Sequence, residues 1–268
     1  LLKFVQDNLL PFLKLSLQLF KGFAIFKSDE LMERLLFMKY SLVFFDADDT
    51  LFDFSKSQEI AFRESISHFN ISYHTDRLYY EYKKSNKELW AKLEQGSINA
   101  DELRLLRFKN IFETHKINQD PKIFGDYYIE KISKSTHLIP YALQICQFIK
   151  SLNIKIGIIT NGFTDTQKNR FESSELFPFF DSITISQETG FRKPQPEIFE
   201  IALKKHLNIK KEEVLMIGDN LHADILGANE FGMDTCWFHK SGGQPKADIQ
   251  PKYIITELMQ LKKIIAKT

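Results

Sequence analysis

The run Leu42–Thr50, LVFFDADDT, places three aspartates within four positions, directly after four apolar residues suited to a buried strand. Carboxylates at the mouth of a core strand are costly, because desolvation and mutual repulsion both disfavour their charged forms. Other reactive groups recur at the ends of further apolar runs. Thr160 and Asn161 open TNG after IKIGII (154–159), and Lys193 sits in the proline-restricted stretch GFRKPQPEIF. Asp219 and Asp224 lie in GDNLHAD (218–224), after EVLMIG (213–218). Carboxylates, a hydroxyl, backbone amides and one ammonium form a set suited to a phosphate and a hard divalent cation. Mg²⁺ takes oxygen ligands in near-octahedral geometry and would offset the repulsion among Asp46, Asp48 and Asp219. Thr160 and Lys193 would take phosphoryl oxygens, with Lys193 compensating their charge.

For these groups to meet, the apolar runs must lie side by side and point the same way. LVFF (42–45), IKIGII, SITIS (182–186), EVLMIG and TCWF (235–238) are short, β-branched or aromatic, and bounded by turn residues. They alternate with helical patterns over Tyr141–Asn153, Asp165–Glu172, Glu197–Leu207 and Ala223–Phe231, with Pro196 where a first-turn proline is tolerated. Such alternation predicts an α/β fold, a Rossmann-like parallel sheet with helices on both faces. Ligands bind such sheets beyond the carboxyl ends of the strands. Residues 55–137 break the pattern and contain no persuasive strand. One helix is predicted from near Asp76 through Trp90 to a stop at Gly96. Another opens at Asn99 with Glu102 three residues on, as in a capping box, and Asp120–Pro121 marks a third start. The predicted organisation is an N-terminal extension (1–37), a core domain (38–54 and 138–268), and an all-helical cap inserted after the first strand (55–137).

Composition excludes several classes. The chain has 268 residues, 43% hydrophobic and 26% charged, with a formal net charge of +1. That balance gives no sign of a nucleic-acid polymer as partner. Cys146 and Cys236 stand alone and read as core thiols of a reducing compartment, which points to the cytoplasm. The Leu- and Phe-rich start carries Lys3, Asp7, Lys14 and Lys21 and is interrupted by Pro11. No apolar run approaches the roughly 20 residues of a bilayer span, and no small-residue cleavage site suggests a secretory signal. No membrane partner is expected, although an amphipathic segment on a membrane surface stays open. Met38 lies just before the first strand, a natural start for the domain. Residues 1–37 are therefore expected to be dispensable for activity, and whether they belong to the native product stays open.

DADDTL (46–51), Thr160, Lys193 and GDNLHAD, in this order, resemble the four motifs of the haloacid dehalogenase-like phosphohydrolases. The resemblance covers Met38 to the C-terminus. It implies that Asp46 attacks phosphorus to form an aspartyl-phosphate. Asp48 would protonate the leaving alcohol and then activate water. Mg²⁺ would be held by the Asp46 carboxylate, the Asp48 backbone carbonyl and the Asp219 carboxylate, with Asp224 ligating directly or supporting them. Thr160, Asn161 (through its backbone N–H) and Lys193 would hold the phosphate. Dehalogenases of this superfamily lack an aspartate two residues after the nucleophile, so Asp48 favours phosphoryl transfer. The cap sequence NKELWAKLEQGSINADELRLLRF (86–108) further resembles that of bacterial pyrimidine 5′-nucleotidases. This makes a nucleoside monophosphate the expected substrate and Asn86, Lys87, Trp90 and Arg107 the cap contacts. Trp90 could stack on a base, or simply pack within an amphipathic helix.

Blander roles exist for some of these residues. Asp49 would only buttress its loop, Asp224 could be a helix-terminus acid, and His222 would face solvent. Two other functions also fit: a phosphatase for sugar phosphates or other small organophosphates, and a catalytically silent binding protein that keeps the fold.

Overall fold

Leu42–Phe45 (β1) is four consecutive residues with no solvent exposure, which only the centre of a sheet covered on both faces provides. In the computed structural model, which describes residues 38–245 and 248–266, β1 is that centre. The readings made for residues 1–37 lie outside the described residues. One compact unit spans Tyr40–Ile264 and holds everything discussed below.

The other strands are β2 (Lys155–Thr160), β3 (Ser182–Ile185), β4 (Val214–Gly218), β5 (Asp234–Phe238) and β6 (Tyr253–Ile255). They form one parallel sheet of order β3-β2-β1-β4-β5-β6. Val43 faces Ile156 on one side and Leu215 on the other, and Phe45 faces Ile158 and Ile217. The chain winds outward from β1 in one direction and then returns to wind in the other. This leaves a crevice beyond the ends of β1 and β4, where such sheets bind ligands. Strand β6 was not expected from the sequence. It has three residues on the sheet edge, too few to show a period of two.

Between β1 and β2 the chain forms four long helices: α1 (Phe54–His68), α2 (Thr75–Glu94), α3 (Ala100–Thr114) and α4 (Pro121–Ser133). Their starts follow the sequence signals. Asn99 and Glu102 exchange hydrogen bonds of 2.9 and 2.8 Å in a capping box, and Asp120 accepts from the N–H groups of Lys122 and Ile123. Aromatic rings hold the helices together. Tyr82 stacks against Phe62 (5.1 Å between centroids) and Phe108 (5.4 Å), and Phe124 packs edge-on to Phe108 and Phe112. Many of the chain's 25 Phe residues therefore serve packing, as the sequence suggests.

The core helices follow in order: α5 (Ala142–Ser151), α6 (Thr164–Glu172), the short α7 (Ser186–Thr189), α8 (Pro196–Lys204) and α9 (Gly227–Phe231). Leu42, Phe44, Ile159, Val214 and Met216 project to one face of the sheet and bury Ile198, Phe199 and Ala202 of α8 and Ala228 of α9. Val43, Phe45, Ile156, Ile158, Leu215 and Ile217 project to the other face and are equally buried, with α5 packed against β2. The helix expected over Ala223–Phe231 is instead a wide π-type turn, Leu221–Leu226, that runs into α9. Asn220 causes the difference. Its side chain accepts from the N–H groups of His222 and Ala223 at 3.0 Å, and its carbonyl from those of Asp224 and Ile225.

His206, just beyond α8, is buried with Nε2 2.7 Å from Ser182 Oγ and its ring edge-on to Phe44. Burial holds its pKa below the usual histidine value, and Lys155 adds to the effect. An unfolded histidine protonates near pH ~6.5, so the stability contributed by a neutral His206 is lost as pH falls through that value. The thermal midpoint should therefore drop between about pH 7.5 and about pH 5.5, and less steeply in His206→Gln. Parallel profiles would show that His206 does not contribute.

Candidate active site

Asp46 is the first residue past β1. Its N–H donates to the Ile217 carbonyl at 2.8 Å, extending the sheet by one residue and delivering the carboxylate into the crevice. The chain then closes tightly: the N–H groups of Leu51 and Phe52 both reach the Ala47 carbonyl, at 3.0 and 2.9 Å. Asp49 takes the left-handed conformation (φ 57°) at the turn, and its carboxylate accepts from Ser55 N–H and Oγ–H. It buttresses the loop, as expected.

Lys193 is 2% exposed, with Nζ 2.5 Å from Asp46 Oδ1, 2.6 Å from Asp224 Oδ1 and 2.8 Å from the Ile159 carbonyl. Burial alone would lower its pKa, but Asp224 and Asp46 outweigh that and hold it above the usual lysine value. Asn161 anchors the lysine: its Nδ2 donates to the Lys193 carbonyl and its Oδ1 accepts from the Lys193 N–H. The Asn161 side chain thus clamps the Lys193 loop, which the sequence did not reveal. Asp224 is fully buried, and the wide turn after Asn220 swings it back under β4. It fits there only because residue 218 is glycine, since a Cβ at that position would overlap its carboxylate. Asp224 is therefore more than a helix-terminus acid. His222 is exposed.

Asp46, Asp219 and Asp224 each offer an oxygen within 4.8 Å of the others. Burial, opposed by Lys193 and reinforced by Asp224 and Asp48, pushes Asp46 up to about 7. Burial and repulsion from Asp46 and Asp224 push Asp219 up to about 8. One lysine does not neutralise three carboxylates, so this all-oxygen set suits a hard divalent cation. The Asp48 carboxylate is not part of the cluster. It turns toward α6, pairing with Arg170 and accepting from Gln167 Nε2 at 2.9 Å. Gln167 and Arg170 went unnoticed in the sequence. The signal available was their three-residue spacing, which places both on one face of the helix after TNG.

From the helical insertion, Asn86 and Arg107 are buried, and Asn86 Oδ1 and Arg107 Nε have no hydrogen-bond partner in the protein. Lys87 is exposed. Trp90 stacks on Phe163 (5.2 Å, 25°), so one face of the indole is taken by packing. Arg104 crosses the same Phe163 ring and pairs with Asp165 at 2.7 Å. All eleven residues singled out from the sequence line a single cavity of about 420 Å³: Asp46, Asp48, Thr160, Asn161, Lys193, Asp219 and Asp224 from the core, and Asn86, Lys87, Trp90 and Arg107 from the insertion.

The sequence model of the haloacid dehalogenase-like hydrolases matches residues 40–232. The chain belongs to that family. It is 32% identical over 230 residues to the pyrimidine 5′-nucleotidase YjjG of Escherichia coli K12, covering 86% of this chain and all of that one. It is also 32% identical over 236 residues to a glyceraldehyde 3-phosphate phosphatase of Pyrococcus furiosus, covering 85% and 94%. The HAD-hydrolase YfnB of Bacillus subtilis, solved bound to magnesium, superposes with a TM-score of 0.78 at 32% identity, covering 84% of this chain and 98% of that one. The fold predicted from the sequence is therefore the fold of this family, and the described residues include no helix long and apolar enough to cross a membrane.

A cation that relieved the repulsion among Asp46, Asp219 and Asp224 would bind the folded chain and so stabilise it. At about a hundred times its dissociation constant the gain is about 2.7 kcal/mol, or roughly 5–10 °C for a domain of this size. Differential scanning fluorimetry with Mg²⁺ against EDTA should show that rise in the wild type and little of it in Asp219→Asn. An equal rise in both would place the ion elsewhere.

Proposed function

We propose that this hydrolase cleaves nucleoside 5′-monophosphates, with pyrimidine nucleotides preferred, through an aspartyl-phosphate on Asp46. It is a phosphoric monoester hydrolase. The observation that carries the reading is the convergence of Asp46, the buried Lys193 and the Asp219–Asp224 pair at the end of β1, with Asp48 two residues beyond the nucleophile. Lys193 and the Thr160 hydroxyl hold the phosphoryl oxygens, and Lys193 keeps the Asp46 carboxylate in place at 2.5 Å. An oxygen of Asp46 attacks phosphorus while Asp48 gives its proton to the departing ester oxygen. Asp48 then takes a proton from water, which attacks the phosphorus of the acyl phosphate and frees Asp46. Mg²⁺, held by Asp46, Asp219 and the Asp48 carbonyl with Asp224 beside them, would neutralise negative charge on the phosphoryl group.

The cavity wall from the insertion supports the substrate choice. Asn86 Oδ1 and Arg107 Nε are buried polar atoms awaiting partners, a costly condition unless a ligand satisfies them, and a base or sugar edge offers such partners. The pyrimidine nucleotidase relative points the same way. A sugar phosphate is the second reading, favoured by the equally similar glyceraldehyde 3-phosphate phosphatase. The buried free thiols Cys146 and Cys236 suit the reducing cytoplasm, where we place the enzyme.

Phosphate release on a panel of UMP, dUMP, dTMP and sugar phosphates tests the reading. Metal-dependent release from the pyrimidine nucleotides is expected, with Asp46→Asn below about 1% of wild type. Release from sugar phosphates alone would keep the chemistry and change the substrate. No release from any ester in a folded protein would favour the silent binding protein. Separately, Asn86→Leu should raise KM for the nucleotide about tenfold, as for one lost buried hydrogen bond, with KM for p-nitrophenyl phosphate changed less than about twofold. Equal rises would make Asn86 a packing residue.

A further inference from the structure

Arg170 has no solvent exposure, yet Nε and Nη1 have no hydrogen-bond partner. Its guanidinium carbon lies 5.0 and 5.4 Å from the Phe52 and Phe54 rings, and Nη2 pairs with Asp48 Oδ1. A buried cation with one carboxylate partner and unmet donors costs stability, and an apolar side chain of similar volume in such a place is often neutral or better. Its presence therefore calls for a reason beyond packing α6 against α4.

Gln167, 2% exposed, supplies one. Its Nε2 donates to Asp48 Oδ2 at 2.9 Å and to Thr160 Oγ1 at 3.2 Å, while its Oε1 accepts from Arg170 Nη2 at 2.9 Å. The contact to Arg170 fixes which end of the amide faces the acceptors. Gly162 completes the arrangement, because a Cβ at that position would overlap the Gln167 side chain. Both oxygens of Asp48 are thus gripped from one helix, and the same amide holds the hydroxyl assigned to phosphate.

We propose that Gln167 and Arg170 are positioning residues for the reaction, holding the Asp48 carboxylate in the orientation from which it serves the ester oxygen. The inference rests on the phosphatase reading but not on the identity of the alcohol. Protonation by Asp48 matters for an alkyl ester, whose alkoxide leaves poorly, and hardly at all for p-nitrophenyl phosphate, whose phenolate leaves unaided. A misplaced Asp48 therefore slows the two esters unequally, whereas general damage to the fold slows them together.

The experiment compares kcat for the best alkyl ester of the panel with the pre-steady-state burst of p-nitrophenolate, in the wild type and in Gln167→Leu, Arg170→Met and Arg170→Lys, with Asp48→Asn as reference. Gln167→Leu should lower the alkyl rate about thirtyfold, a part of the 10²–10⁴ that general acid–base catalysis contributes, and leave the burst rate within about twofold. Arg170→Met should show the same imbalance, and Arg170→Lys should recover part of it. Thermal midpoints identify any arginine variant that fails to fold, and Gln167→Leu then decides. Equal slowing of both esters, or no slowing of either, would overturn the inference while leaving the phosphatase reading intact. A wild type that turns over neither ester would overturn both.

Discussion

One ammonium among buried carboxylates sets the terms for the rest of the molecule. Lys193 reaches Asp46, Asp224 and a backbone carbonyl at once, and neither the charges nor the lysine would survive burial alone. Each surrounding feature keeps that contact in place. The parallel register of β1 with β2 and β4 brings Asp46, Thr160 and Asp219 to one edge. Asn161 locks the lysine's backbone, and Gly218 and the wide turn after Asn220 make room for Asp224. The site still carries more negative than positive charge, an imbalance that suits a hard divalent cation.

The sheet was legible because its central strands are uniformly apolar and end in polar motifs. LVFF is β1 as read, and the alternation of runs and helical patterns gives the parallel order. β6 was not legible, since three residues on a sheet edge are too few to carry a pattern. The turn at Leu221–Leu226 escaped because its cause is a side chain, Asn220, acting on the backbone, and such competition leaves no periodicity. In the site, the acidic groups and Lys193 stood out as residue types that have no business at strand ends. Gln167 and Arg170 did not, because a polar residue on a short helix usually faces solvent, and only the tertiary structure shows that this face turns inward.

The helical insertion illustrates a different limit. Its sequence identified Asn86, Lys87, Trp90 and Arg107, and all four do border the cavity. Their individual conditions were not readable. Trp90 gives one face to Phe163, whereas Asn86 and Arg107 carry unpartnered polar atoms. Unmatched polar atoms thus set Asn86 and Arg107 apart from Trp90, whose ring is partly used in packing.

The two ends of that insertion meet. Asp53 N–H donates to the His137 carbonyl at 2.9 Å, Ile139 N–H to the Leu51 carbonyl at 2.9 Å, and Phe52 bridges Leu138. To the sheet, more than eighty residues therefore look like a hairpin. Since closure entropy grows only with the logarithm of loop length, the core is nearly indifferent to what is hung there. The wall that the insertion lends to the cavity can lengthen, shrink or be replaced at this doorway, while the aspartates beneath it keep their places on the sheet.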